Sequence, residues 1–363
     1  MKKIGLFLLL FIIIFYGCKT VDNNQQPATT GQFELVLITD GSAIDDNAFI
    51  RGTWEGLLRY ARGNNISHKY YPSPGQSDEA YLSTIDLAVQ NGAKLIVSPG
   101  YQFGASVFIA QDRYPDVGFI LIDSVPGSAD GSEYKTGNNS LSILYAEDQA
   151  GFLAGYAAVK DGYRRLGFIG GMAVPSVIRF GYGFIQGIEY AAEELRLAPG
   201  AITVKYHYTG DFVASPKTQV LAASWYSGGT EVIFACGGAL GSSVMAAAEQ
   251  SGKKVIGVDV DQSAESPSVI TSAMKGLQAS VFSSISGFYS GRFPGGQAHV
   301  FSAANNGVGL PMAASRFNSF SRADYDAVFR DLVNGSIPRI VFLDDAGSPQ
   351  ILQVTIIKIE EAI

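Results

Sequence analysis

Cysteine is nearly absent: the 363 residues contain only Cys18 and Cys236. Charge is scarce as well, with 16% of residues charged against 47% apolar, and the formal net charge is −7. No basic run occurs, and loss of Lys2 and Lys3 with a leader would take the charge from −7 to −9. Such a chain repels phosphate backbones, which speaks against nucleic acid as a partner. The three histidines, His68, His207 and His299, stand in or beside apolar strand-like runs, away from any nucleophile. There is no Gly-Xaa-Ser-Xaa-Gly elbow and no EF-hand run of alternating aspartates, so neither a metal nor a cofactor is expected. What the chain does have is length enough for two domains and 42 glycines, enough for many short turns.

The longest apolar run, Ile4 to Tyr16, falls short of the about 20 residues that span a bilayer. Preceded by Lys2 and Lys3 and followed by Gly17-Cys18, it reads as an export signal over 1–17. Cleavage before Cys18 is the pattern of a lipid-modified N-terminus, a membrane anchor on the periplasmic or extracellular face. With Cys18 lipidated, no intrachain disulfide remains. Residues 18–32, rich in Asn, Gln and Thr, read as a polar tether.

From Phe33 onward short apolar runs (33–39, 66–71, 94–98, 118–122, 140–144) alternate with stretches of helical period (49–62, 77–91, 103–113). The pattern resumes after Gln149, with runs at 166–170, 202–208, 231–235 and 254–258 separated by helical stretches 176–194, 215–226 and 240–251. Alternation of this kind predicts βαβ units and parallel sheets. LIVSPGYQFGASV (95–107) lies on VIFACGGALGSSV (232–244) without a gap, which predicts two doubly wound lobes of similar build.

Parallel sheets bind ligands at the carboxyl ends of their strands. Here those ends carry Asp40, Gly100-Tyr101, Asp123, Gly237-Gly238 and Asp259. Two lobes presenting such edges to one another enclose a cleft and close by hinge motion. The stretch ITDGSAIDDNAFIRGTWEG (38–56) crowds Asp40, Asp45, Asp46 and Asn47 before Phe49. One of Asp45, Asp46 and Asn47, which lie just before it, suffices to cap the following helix. The surplus acids suit a ligand with hydroxyl or amino donors, and a metal is the third reading. Phe180, Tyr182 and Phe184 open a second-lobe helix; Phe180 and Phe184 share a face, so they either pack the helix or offer a ring to a flat ligand. Asp211 and Lys275 are further candidates, and each also reads as solvated surface.

Several motifs together resemble the basic membrane protein family of bacterial lipoproteins: LITDGSAIDDNAFIRGTWEG, EDQAGFLAGYAA (147–158), GGMAVPSVIRFGYGFIQG (170–187), GVDVDQ (257–262), VITSAMK (269–275) and NNGVGLP (305–311). The likeness covers essentially the whole mature chain. It implies an α/β fold of periplasmic-binding-protein type I, two doubly wound parallel-sheet lobes with a hinge and a ligand cleft. The lobes would be 33–146 with about 276–303, and 147–275 with about 304–363. It further implies a monomeric, lipid-anchored receptor that captures purine nucleosides (adenosine, guanosine, inosine) for the permease of an ABC importer. Carried onto this chain, Phe49 and Phe180 would stack on the base and Asp46 would bind its edge. Asp123, Asp259 and Lys275 would hold the polar atoms, and Gly237 and Gly238 would let backbone approach the ligand. Asn47 stands where the family has Lys, and Ile50 where it has Asn.

Other classes remain open at this level. Asp45 and Asp46 would also suit a nucleoside hydrolase, and another small solute such as a sugar fits a cleft of this kind. The Gly237–Gly241 stretch lacks the spacing of a dinucleotide fingerprint, although Asp259 lies near the position of its acidic residue. A surface adhesin would leave the strand-end acids unexplained.

Overall fold

The computed structural model describes residues 32–337 and 354–361. The expected signal peptide, Cys18 and nearly all of the tether lie outside the described residues. Chain order begins with β1 (Leu35–Thr39), α1 (Ala48–Asn64), β2 (His68–Pro72), α2 (Asp78–Gln90), β3 (Leu95–Pro99), α3 (Gly104–Arg113), β4 (Gly118–Ile122) and β5 (Ser140–Tyr145). A second series follows: α4 (Glu147–Lys160), β6 (Arg165–Gly170), α5 (Pro175–Glu194), β7 (Ile202–Tyr208), α6 (Pro216–Ser227), β8 (Val232–Cys236), α7 (Leu240–Ser251), β9 (Lys254–Asp259) and β10 (Val269–Lys275). The last elements are α8 (Leu277–Tyr289), β11 (Gln297–Phe301), β12 (Val308–Gly309), α9 (Arg322–Val333) and β13 (Ile357–Glu361). No helix among the described residues is long and apolar enough to cross a membrane.

The strands form two sheets, ordered β11-β5-β4-β3-β1-β2 and β12-β10-β9-β8-β6-β7-β13. Every pairing is parallel except that of β10 with β12. β1, β3, β4 and β8 are buried along their whole length, because helices cover both sheet faces. That double burial explains their unbroken Val, Ile and Leu runs. Among the described residues the chain passes between sheets three times: after β5, after β10 and after β11. The sequence runs predicted the strands up to β9 to within a few residues. They did not announce β10 to β13, where the chain crosses and returns.

α4 and α5 are the most intimate pair, and glycine makes them so. A Cβ on Gly151 or Gly155 would collide with the carbonyls of Phe180 or Phe184, and one on Gly183 or Gly187 with those of Asp148 or Phe152. Backbone therefore meets backbone, α4 is buried on nearly all sides, and its N-terminal Glu147 is brought beside Arg179 and Phe180 of α5. That contact positions the floor of the cleft.

Candidate functional site

Asp123 and Asp259 end their strands in the left-handed region, φ 64° and 68°. Aspartate tolerates that conformation better than most side chains, and here it turns each carboxylate off the sheet edge toward Lys275. The lysine closes β10 and is 3% exposed. Its Nζ lies 2.5 Å from Asp123 Oδ2, 3.3 Å from Glu147 Oε1 and 3.6 Å from Asp259 Oδ1. Three rings surround the same ammonium, with centroids at 5.0 Å (Phe49), 5.3 Å (Phe180) and 5.4 Å (Tyr145). A charge removed from water survives only when paired, and this one is paired three times.

Burial by itself would lower the lysine's pKa, but the three carboxylates outweigh it and hold the group well above its ordinary value. Burial pushes Asp123 and Asp259 upward, against the pull of Lys275. Glu147, fully buried, is shared: its other oxygen takes Arg179 Nε at 2.7 Å. Asp123 Oδ1 is buried and accepts no hydrogen bond from the described protein. A buried acceptor in that condition calls for a donor.

Around this cluster lies a cavity of about 680 Å³ between the two sheets' carboxyl edges. All eleven residues expected at a binding site line it: Asp46, Asn47, Phe49, Tyr101, Asp123, Phe180, Asp211, Gly237, Gly238, Asp259 and Lys275. Among the candidate caps it is Asn47 that caps α1, its Oδ1 accepting from the amides of Phe49 and Ile50. Its amide nitrogen is left facing the Gly238 side. Asp46 and Asp211 are exposed at the mouth, the latter holding its own turn through Val213 N. Phe180 is 2% exposed and meets Phe234 edge-on at 5.9 Å, so helix packing claims much of its ring. None of the three histidines lines the cavity.

Sequence reasoning missed several wall residues. Phe212 is half-buried and lies on Gly237 and Gly238, whose φ values are 153° and 52°. A Cβ on Gly237 would come within 2.9 Å of its ring. The two sides already touch at the rim. Tyr101 donates to Met172 Sδ at 3.4 Å, and Arg51 of α1 pairs with Glu265 in the loop after β9. Cys236 ends β8 in the cavity wall, its thiol pushed up by burial and by the nearby acids, which suits a wall residue and not a nucleophile.

The family model described as ABC transporter substrate-binding protein PnrA-like (Bmp) matches residues 33–339. The chain is 28% identical over 361 residues to a Lactococcus lactis protein named ABC transporter nucleoside-binding protein BmpA, covering 91% of this chain and 95% of that one. It is 27% identical over 315 residues to basic membrane protein B of Borreliella burgdorferi, covering 84% and 88%. A solved ABC transporter solute-binding protein from Aeropyrum pernix superposes with a TM-score of 0.72 at 19% identity, over 86% of this chain and 95% of that one. The fold expected from the sequence, two α/β lobes of the solute-binding type, is the fold observed.

Proposed function

Since this chain belongs to the Bmp family of PnrA-like ABC transporter substrate-binding proteins, we propose that its cleft captures purine nucleosides and releases them, chemically unchanged, to an importer's permease. One observation carries the reading. A single buried cation, Lys275, is held by carboxylates from both sheets and ringed by aromatics, beside an unsatisfied Asp123 oxygen. Ribose hydroxyls suit such a cluster because each both donates to a carboxylate and accepts from an ammonium. The base fits between Phe49 on one side and Phe212 or Phe180 on the other, where offset stacking contributes about 1 kcal/mol per ring. Asp46 and the free amide of Asn47 meet its edge, and Gly237 and Gly238 keep the wall low enough for the ligand to lie close.

On this reading the lobes are 33–146 with about 276–303, and 147–275 with about 304–363. Cys18 carries the lipid anchor on the outer face of the membrane, and the receptor works as a monomer. The relative named as nucleoside-binding supports the choice of ligand. Calorimetry with adenosine, guanosine, inosine, uridine and ribose tests it. Stoichiometric binding of the purine nucleosides, without hypoxanthine appearing from inosine, is the expected result. Binding of ribose as tight as that of adenosine would replace the nucleoside with a sugar, and product formation would make the protein a hydrolase.

A further inference from the structure

The carboxyl edge of the first sheet continues past the Lys275 cluster. From Asp123 at the end of β4, the order runs through β3 to β1, which leads into Asp40. Two strand steps place Asp40 roughly 10 Å from Asp123. Beyond it, α2 begins at Asp78 and contributes Tyr81; Asp40, Asp78 and Tyr81 all line the cavity.

Two independent observations mark this arm. The first is charge. Among the described residues Lys275 is the one cation lining the cavity, and it is committed to Asp123, Glu147 and Asp259. Asp40 has no cationic partner among the described residues; its Oδ1 accepts only the Ser42 amide, at 3.1 Å. The second is an unpartnered tyrosine hydroxyl in the cavity wall, whose oxygen can accept. Tyr81 is 3% exposed, its ring fixed against Phe103 with centroids 4.5 Å apart, yet its hydroxyl has no hydrogen-bond partner among the described residues. Burial, reinforced by Asp40, pushes that phenol up to about 12, so it stays neutral in any ordinary medium. Tyr101 lines the same cavity.

We propose that the Asp40–Tyr81 arm is a subsite for a protonated amine carried on the outer edge of the nucleobase, which pairs with the Asp40 carboxylate and donates to the Tyr81 hydroxyl. The inference rests on the nucleoside reading above, with the ribose at Lys275 and the base pointing along the sheet edge toward β1. A neutral hydroxyl would satisfy Tyr81 but leave the Asp40 charge uncompensated, and an anionic group would be repelled by both aspartates. Base-modified, cationic nucleosides are therefore the class that fills the whole cavity.

The test compares two ligands of the same shape, N6-(2-aminoethyl)adenosine and N6-propyladenosine, by calorimetry at pH 7 with adenosine alongside. The wild-type protein is expected to bind the amine at least tenfold more tightly than the propyl compound. In Asp40→Asn, which preserves the acceptor for Ser42, that ratio should fall to within about twofold. Tyr81→Phe should reduce it at least threefold, and it carries the test if the first variant does not fold. A wild-type ratio near one, with adenosine bound, overturns the subsite and leaves the nucleoside reading standing. So does a ratio that survives in both variants. Failure of all three compounds to bind overturns the nucleoside reading and this subsite with it.

Discussion

Asp123 and Asp259, in different sheets, adopt nearly the same left-handed backbone conformation and both reach the Nζ of Lys275. Each terminates the strand that follows a Gly-containing loop and helix, β3-α3-β4 in one sheet and β8-α7-β9 in the other. Left-handed geometry costs an ordinary side chain about 1–2 kcal/mol. Its occurrence at equivalent places in both halves aims two carboxylates at one point in the cleft. Lys275, at the end of β10, is the buried point where carboxylates of the two sheets meet.

Asp259→Asn keeps the side chain's shape and its tolerance for positive φ while removing the charge. A charge-assisted hydrogen bond exceeds a neutral one by about 1–1.5 kcal/mol. Adenosine affinity is therefore expected to fall about tenfold, 1.4 kcal/mol being one decade. Calorimetry that returns an unchanged constant removes Asp259 from the ligand's contacts.

Lys275→Met leaves Asp123, Glu147 and Asp259 buried around an apolar chain. Breaking a buried ion pair from one side typically costs about 3–5 kcal/mol, and urea unfolding should show a loss of that size. Adding Asp123→Asn, which removes a charge whose ion pair was with Lys275, should recover part of it. Strict additivity of the two substitutions would mean that Asp123 and Lys275 do not interact.

Asp148 follows Glu147 on α4, where burial and its acidic neighbour raise its pKa to about 7 although Arg179 pulls the other way. The ordinary value is 3.8, so between about pH 4 and 7 the folded state binds the proton that the unfolded state has lost. Stability from this group is thus fully present at low pH and declines as pH rises through 7, by about 1.4 kcal/mol per pH unit in that window. Asp148→Asn should flatten the dependence. Unfolding free energies at pH 5, 6 and 7 check the slope, and an unaltered slope in the variant assigns it to another group.

Strand ends were legible in the sequence because most of the apolar runs stop at or just before an Asp or Gly, as at Asp40, Asp123, Gly237 and Asp259, and a doubly covered sheet leaves its polar residues nowhere else to go. The crossings were not legible in the apolar runs themselves; the lobe bounds came from the family resemblance alone. β10, β11 and α8 read as ordinary apolar segments, and only tertiary contact decides which sheet they join. Glu147 and Arg179 escaped notice because charges at a helix start read as solvated caps; here Gly151, Gly155, Gly183 and Gly187 pull the two helices together and shut those charges inside. Phe212 carried no periodic signal, since it sits in a loop, and its position became evident only with the bare glycines beneath it. Asn47 was one of three equivalent caps until the backbone chose it.

The same physics holds the returning chain in place. Asp161, at the end of α4, accepts the amides of Asn318, Ser319 and Phe320 through one oxygen. Glu189 of α5, 8% exposed, accepts the amides of Thr355, Ile356 and Ile357 and the Thr355 hydroxyl, which fixes β13 beside β7. Burial alone would raise the Glu189 pKa, but these donors reverse the effect and lower it. Stability from this carboxylate is therefore present above its ordinary value and lost as pH falls below it. Glu189→Gln turns one acceptor into a donor that faces backbone N–H groups, at a cost of about 1–3 kcal/mol. Because β13 is an edge strand held mainly by this side chain and β7, the loss should be local. Hydrogen exchange at 354–361 should accelerate at least tenfold, with protection in β1, β3 and β8 unchanged. Equal acceleration throughout would mean that β13 opens only with the whole fold, and that Glu189 anchors the lobe and not its last strand.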